Sequence, residues 1–217
     1  MTPLTRSYTH GASAQALLGE TIGDAFDRIV ARAPDCEALV VRQQRVRWTY
    51  RELHARVDAF AAGLVALGLE RGDRLGIWSP NNAEWVIAQL ASARAGIILV
   101  NINPAYRVHE LRFALSRVGC KALITATAFK GGDYVGMLRE IAPEIDQASP
   151  GELQAAALPE LRTVVQIGGA SSSGVLAFDD VPGLASRASI ERLRARASLL
   201  QFDDPIIIQF TSGTTGA

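Results

Sequence analysis

The sequence predicts an α/β fold, a largely parallel sheet with helices on both faces. Three observations carry this. From Arg74 onward, short apolar runs of strand length alternate with segments whose apolar residues recur at helical spacing. Glycines close the helical segments, as Gly96 and Gly119 do, and the turns between elements are short. That alternation is the pattern of βαβ units, which require strands to run parallel and helices to cover the sheet. The chain has 217 residues, 48% of them apolar and 20% charged, so it can build a packed globular core and is neither disordered nor a disulfide scaffold.

Thr21 caps a first helix in which Ile22, Phe26, Ile29 and Val30 share a face, with Asp24 three residues after the cap and Pro34 beyond the end. Ala38 to Val41 and Val46 to Trp48 are β-prone runs flanking Arg42-Gln43-Gln44-Arg45, which reads as a small hairpin. Thr49 and Glu52 form a capping box, and Leu53, Val57, Phe60, Leu64 and Leu67 make one apolar stripe ending at Gly68. Leu75 to Trp78 reads as a strand, Ala83 to Ala95 as a helix, Ile97 to Val100 as a strand, Val108 to Val118 as a helix and Ala122 to Thr125 as extended. Tyr134 to Ile141 is helical and stops before Pro143, while Gln147 to Leu158 reads as a polar, alanine-rich connector. Val164 to Ile167 is strand-like, and Gly168 to Gly174 reads as a surface linker because no helix start follows it. Ile190 to Leu200 is an arginine-rich helix whose Arg192, Arg194 and Arg196 read as a solvated face.

The chain closes on the apolar run Ile206 to Phe210, read as a buried strand, and then on Thr211, Ser212, Gly213, Thr214, Thr215 and Gly216. Small residues after a strand leave backbone N–H groups uncovered, so these and the hydroxyls can converge on a phosphate. The run is neither a Walker A loop, which needs a Gly-Lys-Ser/Thr ending, nor a Gly-x-Gly-x-x-Gly dinucleotide fingerprint. It has no lysine, so any cation at the phosphate comes from elsewhere.

Other candidates point to no chemistry. Lys plus Arg and Asp plus Glu number 22 each. Such a balanced charge gives no general attraction for nucleic acid. His109-Glu110 begins like a zinc-protease helix, but Phe113 stands where the second histidine belongs, so no metal site is expected. His10 and His54 read as solvated or structural. Cys36 and Cys120 read as reduced, largely buried thiols with no base beside them. Met1 to Glu20 contains no apolar run of signal-peptide length, and no transmembrane run occurs, which leads to the expectation of a cytoplasmic protein.

Taken together, Thr211 to Gly216 after an apolar strand, Trp48-Thr49-Tyr50-Arg51-Glu52-Leu53, Gly72 to Ile77 with Ser79-Pro80-Asn81, and Asn103-Pro104-Ala105-Tyr106-Arg107 leading into Glu110-Leu111 resemble the adenylate-forming superfamily. The resemblance runs from about Thr21 onward and is closest to the fatty-acid CoA ligase branch. Phe129-Lys130 through Asp133-Tyr134 to Met137-Leu138-Arg139, with Leu158-Pro159-Glu160-Leu161, resembles its medium-chain group.

The resemblance implies a two-step reaction. A fatty-acid carboxylate attacks the α-phosphate of ATP and expels pyrophosphate, and the thiol of coenzyme A then takes the acyl group. It assigns phosphate binding to Thr211, Ser212, Gly213, Thr214, Thr215 and Gly216, and implies ATP, Mg²⁺ and coenzyme A for the complete enzyme, with none expected on this chain. It implies the incomplete N-terminal part of the large domain: an arm over residues 1–20, an α/β subdomain over 21–205, and a strand with phosphate loop over 206–217. The family's acidic magnesium motif, ribose-binding Asp and C-terminal lysine have no counterpart here, so no residue of this chain is expected to be catalytic or to bind metal, and the chain alone is expected to be inactive. Self-association through an exposed apolar face is an expected property of such a piece. The alternative reading is a non-catalytic α/β scaffold, or one half of a split enzyme that needs a partner chain.

Overall fold

A computed structural model describes residues 14, 15 and 17–211. The elements in chain order are α1 (Ile22–Arg32), β1 (Glu37–Val41), β2 (Val46–Thr49), α2 (Tyr50–Ala66), β3 (Arg74–Trp78), α3 (Ala83–Arg94), β4 (Ile98–Asn101), α4 (Val108–Val118) and β5 (Cys120–Thr125). They continue with β6 (Ala128–Phe129), β7 (Gly132–Asp133), α5 (Tyr134–Ile141), β8 (Thr163–Gln166), β9 (Val175–Ala177), α6 (Arg187–Ala197) and β10 (Ile207–Gln209). Among the described residues six strands form one sheet in the order β10-β4-β3-β5-β8-β9, and every pairing within it is parallel. The expected fold class is therefore present.

The helices start where side chains satisfy their free N–H groups. The Thr21 hydroxyl accepts from Asp24 N at 3.1 Å. Thr49 accepts from Glu52 N at 3.3 Å while Glu52 takes the Thr49 N–H at 2.8 Å, which completes the capping box. Asn82 Oδ1 accepts from Trp85 N at 2.8 Å and so begins α3. Gly119 ends α4 in the left-handed region at φ 62°, where a Cβ would be strained.

Strand residues alternate between two cores. Leu75, Ile77, Leu99, Ala122, Ile124 and Val165 pack with α1, α2, α3 and α6, while Trp78, Val100, Leu123, Val164 and Val175 pack with α4 and α5. The chain leaves β3 through α3 to β4 on one side, then passes through α4 to β5 on the other. Crossovers of one hand then put α3 and α4 on opposite faces. The turn after β3 and the turn after β4 thus leave the sheet toward opposite faces, the arrangement that in open α/β sheets usually marks the ligand position at the strands' carboxyl ends.

Three expectations change. The stretch from Gln147 to Leu158 is not simply a polar connector, since Leu153, Ala155 and Leu158 are buried in the second core. Arg196 is 8% exposed rather than part of a solvated face: its Nη1 donates to Leu69 O at 2.7 Å and its guanidinium pairs with Glu70. The run from Ile206 to Phe210 is not a buried strand. It forms the sheet edge, and Ile207 is 41% exposed.

The β6–β7 hairpin and the short strand β9 give no sequence signal, because two or three residues are too few to display alternation. Gly168 to Gly174 leads directly into β9, with Ser172 and Val175 paired through their backbones at 2.9 and 3.0 Å.

Candidate functional site

The candidate site lies at the carboxyl ends of β3, β4 and β10. Ile207, Ile208 and Gln209 pair in register with Leu99, Val100 and Asn101, so β10 brings its exit alongside the end of β4. Thr211 follows as an exposed residue at that edge. Of the six residues assigned to the phosphate loop, the structure places Thr211; Ser212, Gly213, Thr214, Thr215 and Gly216 lie outside the described residues.

The turn after β3 is held by short-range bonds. Asn82 Nδ2 donates to Ser79 Oγ at 2.8 Å and Ser79 Oγ donates to Pro80 O at 2.9 Å. The turn after β4 is built around Asn103, whose Oδ1 accepts from Ala105 N at 2.9 Å and whose carbonyl accepts from Trp78 Nε1 at 3.2 Å. Trp78 lies flat on Tyr134, with ring centroids 3.6 Å apart and planes within 5°. The Tyr134 hydroxyl donates to Pro104 O. Burial pushes the Tyr134 phenol up to about 12, against the pull of Arg107, so it keeps its proton and its donor role at neutral pH. Arg107 N donates to Glu110 Oε2 at 3.1 Å. Backbone N–H groups of Glu110 and Arg107 hold the Glu110 carboxyl below its ordinary value. The Asn103 to Glu110 stretch is therefore a turn braced by the Asn103 and Glu110 side chains and by Trp78 and Tyr134.

Two polar residues escaped the sequence reading. Asn101 Nδ2 donates to Gln209 Oε1 at 2.9 Å across the β4–β10 pair. The available signal was one polar residue closing each of two apolar runs, Ile98 to Asn101 and Ile206 to Gln209. Cavities of about 170, 500 and 450 Å³ lie elsewhere, while a smaller one of about 80 Å³ is lined by Pro104, Tyr106 and Arg107 of the turn after β4 together with Tyr134. Among the described residues no group of three or more His, Cys, Asp or Glu is placed to hold a metal ion. Burial pushes the Cys120 thiol up to about 12, consistent with an inert core cysteine, whereas Cys36, expected to be largely buried, is exposed just ahead of β1. No described helix is long and apolar enough to cross a membrane.

Comparison with known proteins supplies the context for this edge. The model of the family described as AMP-binding enzyme matches residues 26–217. The chain is 46% identical over 212 residues to the mitochondrial medium-chain acyl-CoA ligase ACSF2 of Bos taurus, and 44% identical over 212 residues to that of Homo sapiens. Each match covers 97% of this chain and 34% of the relative, so the chain spans about a third of the relatives' length.

Among solved structures, the N-terminal subdomain of Klebsiella oxytoca NpsA in complex with 3-hydroxybenzoyl-AMSN is 26% identical, with a TM-score of 0.61 over 95% of this chain and 41% of that one. The anthranilate CoA ligase AuaEII, in complex with anthranoyl-AMP, shares the fold at 21% identity, with a TM-score of 0.67 over 93% of this chain and 34% of that one. The mitochondrial relatives contradict the expected cytoplasmic location. That expectation rested on the lack of an apolar leader, and mitochondrial leaders are amphipathic and arginine-rich, so they need no apolar run.

Proposed function

Because the chain belongs to the AMP-binding enzyme family, we propose that it is the N-terminal part of an ATP-dependent, AMP-forming acyl-CoA ligase acting on medium-chain fatty acids. One observation carries the reading from the structure: β10 delivers Thr211 to the carboxyl edge of the parallel sheet, next to the end of β4. The 44 to 46% identity to medium-chain ligases supports the substrate class.

In this proposal Thr211 to Gly216 binds the phosphates of ATP. Gly213 and Gly216 allow close approach of the backbone, while Thr211, Ser212, Thr214 and Thr215 add hydroxyl donors. Negative charge grows on the phosphate oxygens as the carboxylate attacks, and fixed donors aimed at it lower the barrier. Mg²⁺, when bound, neutralises phosphate charge. The described residues offer no ligand set for it, so its ligands are not assigned to them. The turns after β3 and β4 act as rigid walls, since their side chains bond to one another and to the backbone. The proposed division keeps residues 21–205 as the α/β subdomain and 206–217 as the strand with its loop.

The test is product identity. A complete ligase carrying this chain, given a medium-chain fatty acid, ATP and coenzyme A, is expected to yield acyl-CoA and AMP in equal amounts. Release of ADP and phosphate, or ATP consumption independent of coenzyme A, contradicts the proposal.

A further inference from the structure

We propose that Arg107 and Lys130 form a phosphate-binding subsite for a nucleotide substrate, at the cavity between the turn after β4 and the β6–β7 hairpin; the proposal rests on the acyl-CoA ligase reading above. The cavity, of about 80 Å³, is lined by Pro104, Tyr106, Arg107, Phe129, Lys130 and Tyr134. It sits beyond the carboxyl ends of β4 and β5, the side of a parallel sheet on which ligands bind. The two cations reach it from different elements. Arg107 precedes α4, and its guanidinium lies against the hairpin, since a Cβ on Gly132 would sit 2.9 Å from Arg107 Nη1. Lys130 stands at the hairpin tip.

One observation is the backbone at Lys130. Phe129 pairs with Gly132, so Lys130 and Gly131 make a two-residue turn, with φ of 47° and 79°. Two successive positive φ values favour Asn-Gly or Asp-Gly, and a lysine at the first position is strained. Such strained residues cluster where a side chain serves a ligand. The other observation is charge. Among the described residues no carboxylate lies within ion-pair distance of Arg107 or Lys130, whereas the chain's other lysine, Lys121, is taken up by Asp73 at 2.7 Å and by Gly68 O at 2.8 Å. The neighbouring carboxylates are engaged: Glu110 accepts from Arg107 N at 3.1 Å and Asp133 from Gly136 N at 2.9 Å. Lys130 Nζ rests over the Phe129 ring, 5.3 Å from its centroid.

Two unpaired cations beside aromatic walls suit a phosphate carried on a nucleoside. The guanidinium fork takes two phosphate oxygens and the ammonium adds a point charge. ATP and coenzyme A both carry such phosphates, and the test separates them. It uses the complete ligase carrying this chain, with Lys130→Asn, Lys130→Arg and Arg107→Gln, in steady-state kinetics and in equilibrium titration with ATP and with coenzyme A.

Loss of one charged hydrogen bond is expected to raise KM and Kd for the bound nucleotide about tenfold in Lys130→Asn and in Arg107→Gln. KM for the fatty acid and kcat should barely move. Weakening of ATP identifies its phosphates as the bound group, and weakening of coenzyme A identifies those of coenzyme A. Lys130→Arg keeps the charge and should retain the starting KM. Asparagine suits the turn, so the Tm of Lys130→Asn is expected to equal or exceed that of the unsubstituted enzyme, which separates lost binding from lost fold. Unchanged Kd for both nucleotides in folded Lys130→Asn and Arg107→Gln, or equal impairment in Lys130→Arg and Lys130→Asn, overturns the subsite. Absence of acyl-CoA formation by the unsubstituted ligase overturns the acyl-CoA ligase reading instead, and the two titrations then decide the subsite on their own.

Discussion

At Gly63, inside α2, a Cβ would sit 2.2 Å from the carbonyl oxygen of Val181 and 2.8 Å from its Cγ1. A helix interior normally favours alanine over glycine by about 1 kcal/mol. Here the missing side chain lets the segment from Phe178 to Leu184 lie directly on α2, where Phe178 stacks on Phe60 with ring centroids 4.2 Å apart. The clash is with backbone, so no rotamer change relieves it. Gly63→Ala is expected to destabilise the fold by about 2 kcal/mol, a fall in Tm of about 4 to 8 °C in thermal unfolding. Gly183→Ala is the control: nothing lies within 4 Å of its Cβ position, and its Tm should match that of the unsubstituted chain. The close approach at Gly63 could not be read from the sequence, because the segment it admits contacts α2 from more than a hundred residues away.

Among the elements, α6 shows how a surface pattern can conceal an anchor. Arg192, Arg194 and Arg196 alternate along it, and composition alone makes them equivalent. Helical geometry does not, since Leu193 and Arg196 lie three apart on the face turned inward, and both are buried. Arg196 satisfies the Leu69 carbonyl just beyond α2 and pairs with Glu70, which also pairs with Arg192. Arg196→Ala is expected to cost about 2 to 3 kcal/mol in urea unfolding, since it removes a charged donor and leaves a carbonyl without its partner. Arg194→Ala should fall within about 0.5 kcal/mol of the starting chain, as exposed substitutions do.

Capped and periodic elements were legible for the same kind of reason: Thr21, Thr49 with Glu52, and Gly119 each state a helix boundary in local chemistry. The edge position of β10 was not legible. An apolar run such as Ile206 to Ile208 reads identically whether one or both of its sides are covered. In the site, the hydroxyl and glycine loop announced itself by composition. The Asn101–Gln209 pair did not, because it joins residues 108 positions apart in sequence.

For the whole molecule, strand order decides where chemistry can sit. With β3 central and the chain departing from it first to one side and then to the other, the turns after β3 and β4 separate, and β10 closes the edge next to β4. Thr211, which follows β10, is thereby presented at the carboxyl side of the sheet, the usual ligand position in open α/β sheets. The chain spans 34% of the length of its ACSF2 relatives, so under the proposed function it supplies the phosphate-binding edge of the ligase and catalysis belongs to the complete enzyme. Fatty-acid-dependent ATP–pyrophosphate exchange, measured in parallel on the complete ligase and on the 217-residue chain alone, tests this most directly. Exchange by the complete enzyme and none by the chain is the predicted result; exchange by the isolated chain, or its absence from the complete enzyme, would contradict it.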